Sequence, residues 1–163
     1  MLVLGVDPST VATGWGLLDG DSRAARAVDY GVIRPGSRRP LAERLAQIHS
    51  ELHTILTSDP APDICILESA FLAKNAKTAL ALGQVRGVVL LACVQAGVPF
   101  SEYSATEIKR AAVGYGTAEK DQVATMISRI LGLAEPPPSD AADALGAAWC
   151  HLTRTARGVR IPT

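Results

Sequence analysis

Apolar residues follow two rhythms along this chain, and each rhythm predicts its own kind of element. Leu2–Val6 is a short unbroken apolar run, the pattern of a buried strand, and it stops at Asp7-Pro8. Thr13–Leu18 and Ala27–Arg34 read as two further strands joined around Asp19-Gly20-Asp21. From Pro40 onward the period lengthens: Leu41, Leu45, Ile48, Leu52 and Ile55 fall on one face of an amphipathic helix. Asp63–Glu68 is again a buried-strand pattern, with a carboxylate at its carboxyl end. Asn75 to about Ala96 predicts a long helix, apolar on most sides, with Gly83 and Gly87 one turn apart. A short strand, Pro99–Tyr103, precedes a helix near Thr106–Val113. Glu119–Leu131 is amphipathic through Val123, Met126, Ile127 and Ile130, and a last helix runs from about Ser139, after three prolines, to Leu152. The order β-β-β-α-β-α-β-α-α-α predicts an α/β fold with a mixed sheet flanked by helices on both faces.

Composition fits that picture. With 163 residues, 48% hydrophobic and 20% charged, the chain is too apolar for disorder and has the size of one ordinary domain. The expectation is a single domain over residues 1–163, with a short basic tail from about residue 152. The apolar stretch Gly87–Val94, bounded by Arg86 and Gln95, is too short to suggest a membrane span, and Met1–Asp7 lacks the basic start of a signal peptide. Cys65, Cys93 and Cys150 are widely spaced among apolar neighbours and read as buried hydrophobes in a reducing compartment, so the cytoplasm is expected. His49-Ser50-Glu51-Leu52-His53 superficially suggests a zinc helix, but its Glu is displaced from the zincin pattern, and it reads as a wet helix face. The 16 basic residues match 16 acidic ones, which argues only weakly against a nucleic-acid substrate. Distribution says more: Lys74, Lys77, Arg86, Lys109, Arg110 and Lys120 face only Glu102, Glu107 and Glu119 over the same stretch, and Arg154, Arg157 and Arg160 follow Asp143 with no acid.

Four acids stand out. Asp7 and Glu68 end two predicted buried strands, the sheet edge where ligands bind in open α/β folds. Asp140 and Asp143, three apart at a helix start, project from one face. Four converging carboxylates with no Lys or Arg nearby in sequence repel one another unless a cation sits among them. Hard oxygen donors suit Mg²⁺ or Mn²⁺, and a pair of such ions can activate water and stabilise the leaving oxygen of a phosphodiester attack. Each acid also has a purely structural reading: Asp7 as a turn former before Pro8, Glu68 as a charge closing a strand, Asp140 as a helix cap with Asp143 at its third position.

The neighbouring residues carry a resemblance. Gly5-Val6-Asp7-Pro8-Ser9 with Thr13-Gly14-Trp15-Gly16, then Leu67–Ala76 with Leu82-Gly83-Gln84-Val85-Arg86-Gly87, resembles the RuvC family of Holliday junction resolvases. So do Glu102-Tyr103, Ile108-Lys109, Val113-Gly114-Tyr115-Gly116 and Ala118-Glu119-Lys120, and finally Asp140-Ala141-Ala142-Asp143-Ala144-Leu145. Four blocks in order, from Val3 to about Trp149, make it highly specific. The resemblance implies a ribonuclease-H-like fold with a five-stranded sheet, and a homodimer that nicks a four-way DNA junction symmetrically in recombination and repair. It implies two Mg²⁺ per site, replaceable by Mn²⁺, on Asp7, Glu68, Asp140 and Asp143, and a junction-binding, branch-migrating motor complex as partner. It places DNA contacts on Lys74, Lys109 and Lys120, a wedge near the junction centre on Phe71, and the dimer contact on the helix around Ala73–Ala96. Ser9 stands where glycine is common, and Ser69-Ala70 replaces a commoner Gln-Val pair, which bears on substrate placement rather than chemistry.

These residues keep ordinary readings too: Phe71 as core, the lysines as solvated, and Gly83 and Gly87 as packed on the chain's own sheet. The competing functions are a related nuclease acting on another nucleic acid, a non-catalytic junction binder, and a phosphate-loop ATPase, which in the sugar-kinase form needs two domains where this chain offers one.

Overall fold

The computed structural model describes residues 1–69 and 76–155. Strands β1 (Leu2–Asp7), β2 (Thr13–Gly20) and β3 (Ala25–Ile33) come first, then helix α1 (Leu41–Leu56), β4 (Ile64–Glu68) and helix α2 (Ala76–Ala96). β5 (Phe100–Tyr103) is followed by helices α3 (Ala105–Val113), α4 (Lys120–Ile130) and α5 (Ser139–Thr155). They form one five-stranded sheet ordered β3-β2-β1-β4-β5. The β1–β2 and β2–β3 pairs are antiparallel, whereas β1–β4 and β4–β5 are parallel.

Why the central strands are apolar without alternation follows from the two cores. Val3, Leu18, Ile64 and Ile66 point to a layer built with Ile108, Ile127 and Leu145 of α3, α4 and α5. Their neighbours Leu4, Val6, Leu17, Cys65 and Leu67 point the other way, onto Ile48 and Leu52 of α1 and Val85, Val89 and Cys93 of α2. A strand buried on both faces has no polar side to show. The three cysteines are buried and free, as their apolar surroundings suggested.

The differences from the sequence reading have local causes. The β2–β3 turn lies past Gly20, where the Asp21 carboxylate accepts from the backbone N–H of Arg23 and Ala24. Glu119 is a cap rather than a helical residue, and Ser104 with Glu107 forms a capping box that starts α3 at Ala105. Residues 152–155, expected to start a basic tail, belong to α5, which continues to Thr155 with Leu152 buried. Arg154 is no loose base either, because it pairs with Glu107 at 3.0 Å and lies over the Tyr103 ring. Among the described residues α2 is long and apolar enough to cross a bilayer, a property that the short run Gly87–Val94 did not reveal. Its Val85, Val89, Ala92 and Cys93 are nevertheless core, and its Arg86 is tied to the sheet, so here it is packed as a half-buried surface helix. The His49 ring meets Gln95 of α2 at 2.7 Å and stacks on His53 at the surface, in keeping with a wet face.

Candidate active site

Sheet topology puts two of the acids side by side. β1 and β4 are parallel neighbours, with Val6 opposite Leu67, so Asp7 and Glu68 leave the sheet together at its carboxyl edge. Helix α5 then lays its first turn across that edge. It can come so close because the strands opposite it carry glycine. A methyl group on Gly5 would stand 1.9 Å from the Ala144 carbonyl oxygen, and one on Gly14 2.0 Å from that of Asp140. The helix answers with small residues, Ala141, Ala142, Ala144 and Ala148, all buried. Asp140 and Asp143 are thereby brought to the two strand-end acids.

α5 begins at Ser139, and the Ala142 N–H is bonded to the Pro138 carbonyl. Asp140 is therefore inside the first turn instead of capping it, which removes the capping reading.

Burial and like charge act on Asp7, Glu68 and Asp143. Burial, then the charges of Asp143 and Glu68, push Asp7 from 3.8 up to about 7. Glu68 is raised by burial and by Asp143, and Asp143 is raised by burial against the opposing pull of Lys120. Cations distant in sequence reach the cluster. Lys120 at the head of α4 pairs with Asp143 at 2.5 Å, which raises the pKa of the lysine, and Lys109 of α3 acts on Glu68. Glu68, Asp143, Lys109 and Lys120 line one cleft of about 290 Å³, floored by Ala105, Ile108 and Val123. Phe71 and Lys74 lie outside the described residues.

Arg86, which the sequence offers as one base within a family block, holds the site. Its side chain is 13% exposed, and the guanidinium donates to the Glu68 carbonyl oxygen at 2.6 Å and to the Glu102 carboxylate at 2.5 Å. The first bond fixes the end of β4 where Glu68 turns out, and the second ties the same guanidinium to the neighbouring strand β5. The only sequence signal was its place in the block Leu82–Gly87. Ser9, the departure from the family pattern, also has a local task. Its hydroxyl accepts from the N–H of Val11 and Ala12, and its carbonyl accepts from the Thr13 hydroxyl at 2.6 Å, closing the loop after Asp7.

The donor set fits a hard divalent cation. All four groups are carboxylates, and their mutual repulsion is relieved by added positive charge. Among the described residues no three such side chains are gathered closely enough to hold an ion as they stand. A pH test follows. Asp7 titrates near 7 in the fold against 3.8 ordinarily, so between those values the fold binds a proton that the unfolded chain does not. The stability contributed by this group therefore falls as pH rises through that window and levels off above it. A bound cation replaces the proton, so the rise in Tm on adding Mg²⁺ should be small near about pH 5.5 and large near about pH 8. Asp7→Asn should flatten that difference; differential scanning fluorimetry reads it directly, and an equal Mg²⁺ effect at both pH values would refute the coupling.

A mixed sheet with acids clustered on the edge where its parallel strands end, and helices on both faces, defines a nuclease of the ribonuclease-H-like class. The family model described as crossover junction endodeoxyribonuclease RuvC matches residues 3–151. The chain belongs to that family and is an endodeoxyribonuclease. It is 44% identical to the crossover junction endodeoxyribonuclease RuvC of Syntrophomonas wolfei, over 93% of this chain and 88% of the relative. Among solved structures it is similar to Thermus thermophilus RuvC, at TM-score 0.89 and 34% identity, with 100% of each chain covered. The T. thermophilus RuvC in complex with Holliday junction substrate matches at TM-score 0.93 and 33% identity, covering 100% of this chain and 99% of that one. A nuclease fold of this family implies dependence on a divalent metal.

Proposed function

We propose that this protein resolves four-way DNA junctions by paired, symmetric phosphodiester hydrolysis, leaving 5′-phosphate and 3′-hydroxyl ends, in homologous recombination and DNA repair in the cytoplasm. The observation that carries the reading is the meeting of Asp7, Glu68, Asp140 and Asp143 at one sheet edge, beside a lysine-lined cleft. The four carboxylates are the metal-holding and catalytic residues, with Mg²⁺ as the working ion, two per site, and Mn²⁺ as a substitute. Bound ions of this kind lower the pKa of water and absorb charge developing on the leaving oxygen. The protein's own part is placement. Asp7 and Glu68 are set by strand ends, Asp140 and Asp143 by the first turn of α5, and Arg86 holds the Glu68 peptide in position. Lys120 is engaged with Asp143 by an ion pair; once that carboxylate's charge is taken up otherwise, the ammonium is free for a phosphate oxygen. Lys109 lines the same cleft for the same task. Phe71 and Lys74 are assigned as DNA contacts on resemblance alone.

Two strands must be cut, and one residue 1–163 domain offers one carboxylate cluster, so the functional unit is a homodimer. Helix α2 supports this. Gly83 and Gly87 face open space rather than the chain's own sheet, which removes that alternative for them. Leu80, Leu91 and Val94 continue the stripe at about coiled-coil spacing, and Val94 is 69% exposed. A junction-binding, branch-migrating motor complex is the expected partner in the cell.

The deciding experiment compares a supercoiled cruciform plasmid, a linear duplex and an RNA–DNA hybrid, each with Mg²⁺ and with EDTA. Linear plasmid formed directly from the cruciform, only with metal and with neither other substrate cut, is the expected result. Cleavage of the hybrid or the plain duplex at a comparable rate would replace the reading with that of a differently directed nuclease.

A further inference from the structure

β3 runs antiparallel to β2, and β2 antiparallel to β1, so β3 ends at the same sheet edge as β1 and β4. The register makes this concrete. Asp7 lies opposite Gly14, and Gly14 opposite Val32, so Arg34, the first residue past β3, emerges two strands over from Asp7. The first turn of α5 rests on Gly14 between them. The Arg34 guanidinium stands 3.9 Å from the Asp140 carboxylate, at the outer limit of an ion pair, with its side chain 59% exposed. Such a pair holds an arginine only weakly. The opposite flank differs, because there Lys120 is pressed against Asp143 at 2.5 Å.

Positive charge thus stands at both ends of the row of acids, with Arg34 on the β3 side and Lys109 and Lys120 on the α3–α4 side. The setting of Arg34 adds to this. Arg38 and Arg39 follow it, and the sequence holds no acid between Asp29 and Glu43. Arg39 is occupied by Glu43 and Gln47, and Arg44 reaches across to the Thr10 carbonyl in the loop after Asp7. Arg34 is the basic side chain in this segment that combines exposure with nearness to the acids. A planar guanidinium also matches two phosphate oxygens at once, which a loose pair with one carboxylate leaves unused.

We propose that Arg34 binds a backbone phosphate of the substrate on the β3 flank of the acid cluster, across the site from the contacts of Lys109 and Lys120. The strand being cut then spans the row of acids, held at both ends. This rests on the reading of the protein as a junction nuclease.

The test uses Arg34→Gln and Arg34→Lys, each placed in an Asp7→Asn background so that a synthetic four-way junction survives the binding titration. One lost phosphate contact should lower the slope of log Kd against log salt by about 1. Arg34→Gln should therefore bind on the order of tenfold more weakly at about 0.05 M salt, with the gap closing about threefold by 0.2 M. Arg34→Lys keeps a point charge and should recover the slope. With Asp7 intact, the loss of cleavage by Arg34→Gln should fall mainly on KM. An unchanged salt slope together with a reduced kcat would overturn the inference and make Arg34 a positioning residue acting through Asp140. Failure of the Asp7→Asn parent to bind the junction at all would sink the functional reading and this inference with it. Parent binding with no change on Arg34→Gln sinks this inference alone.

Discussion

Asp7→Asn should abolish metal-dependent junction cleavage, by a factor on the order of 10³ or more, while junction binding stays intact or tightens. The two effects have one cause. Asp7 is the acid most disfavoured by its surroundings, pushed to about 7 by burial and by the charges of Asp143 and Glu68. Asparagine keeps its shape and removes the charge that a cation would meet. A metal ligand is then lost, whereas an approaching phosphate meets one negative charge fewer. Glu68→Gln, Asp140→Asn and Asp143→Asn should behave alike, and Asp143→Asn should also release Lys120 from its ion pair. The measurement is cleavage and binding of one labelled junction on one preparation. An Asp7→Asn protein that cuts at near the wild-type rate with Mg²⁺ would remove Asp7 from the metal site and undo the assignment of all four acids.

What the sequence made legible was the part of the site that local pattern controls. The buried runs before Asp7 and Glu68 betray themselves because a strand packed on both faces shows no polar residue, so each run ends visibly at its acid. The three-residue spacing of Asp140 and Asp143 is likewise a local fact. The element order was readable throughout, and the family blocks supplied the class. What stayed hidden depended on tertiary placement. Lys120 meets Asp143 only because α4 packs on α5, and Arg34 meets Asp140 only because β3 ends at the shared edge. Helix α2, apolar on most sides, gave no single face by periodicity, and only packing distinguishes Val85 and Val89 inside from Gly83 and Gly87 outside. The last turn of α5 is not legible locally, because Thr153 and Thr155 are poor helix formers in isolation. In the fold both hydroxyls donate to carbonyls of the preceding turn, and Arg154 between them is anchored on Glu107.

The glycines of β1 and β2 hold the least visible part of the design, and Gly14→Ala should show it. Glycine in a strand is usually a weak point, and alanine there is ordinarily harmless or helpful. At Gly14 the added methyl would stand 2.0 Å from the Asp140 carbonyl oxygen and 2.2 Å from its carbon. These are backbone atoms of the turn that carries two of the four acids, so no rotamer change relieves the overlap. α5 has to retreat by more than an ångström, taking Asp140 and Asp143 away from Asp7 and Glu68. A displacement of that size costs about 10²-fold in a reaction that depends on placement. Stability should fall by only about 1–3 kcal/mol, the usual cost of overpacking. Gly146→Ala is the control from the same helix. Its methyl would meet the Ile108 Cγ2 at 3.4 Å, a side-chain contact that can give, and alanine inside a helix gains roughly 0.5–1 kcal/mol over glycine. Gly146→Ala should therefore remain active and at least as stable as the wild type. Thermal unfolding and junction cleavage measured on the same preparations, well below either Tm, separate a displaced helix from an unfolded chain. Near wild-type cleavage by a folded Gly14→Ala protein would mean that the acids tolerate more movement than a shared metal site allows.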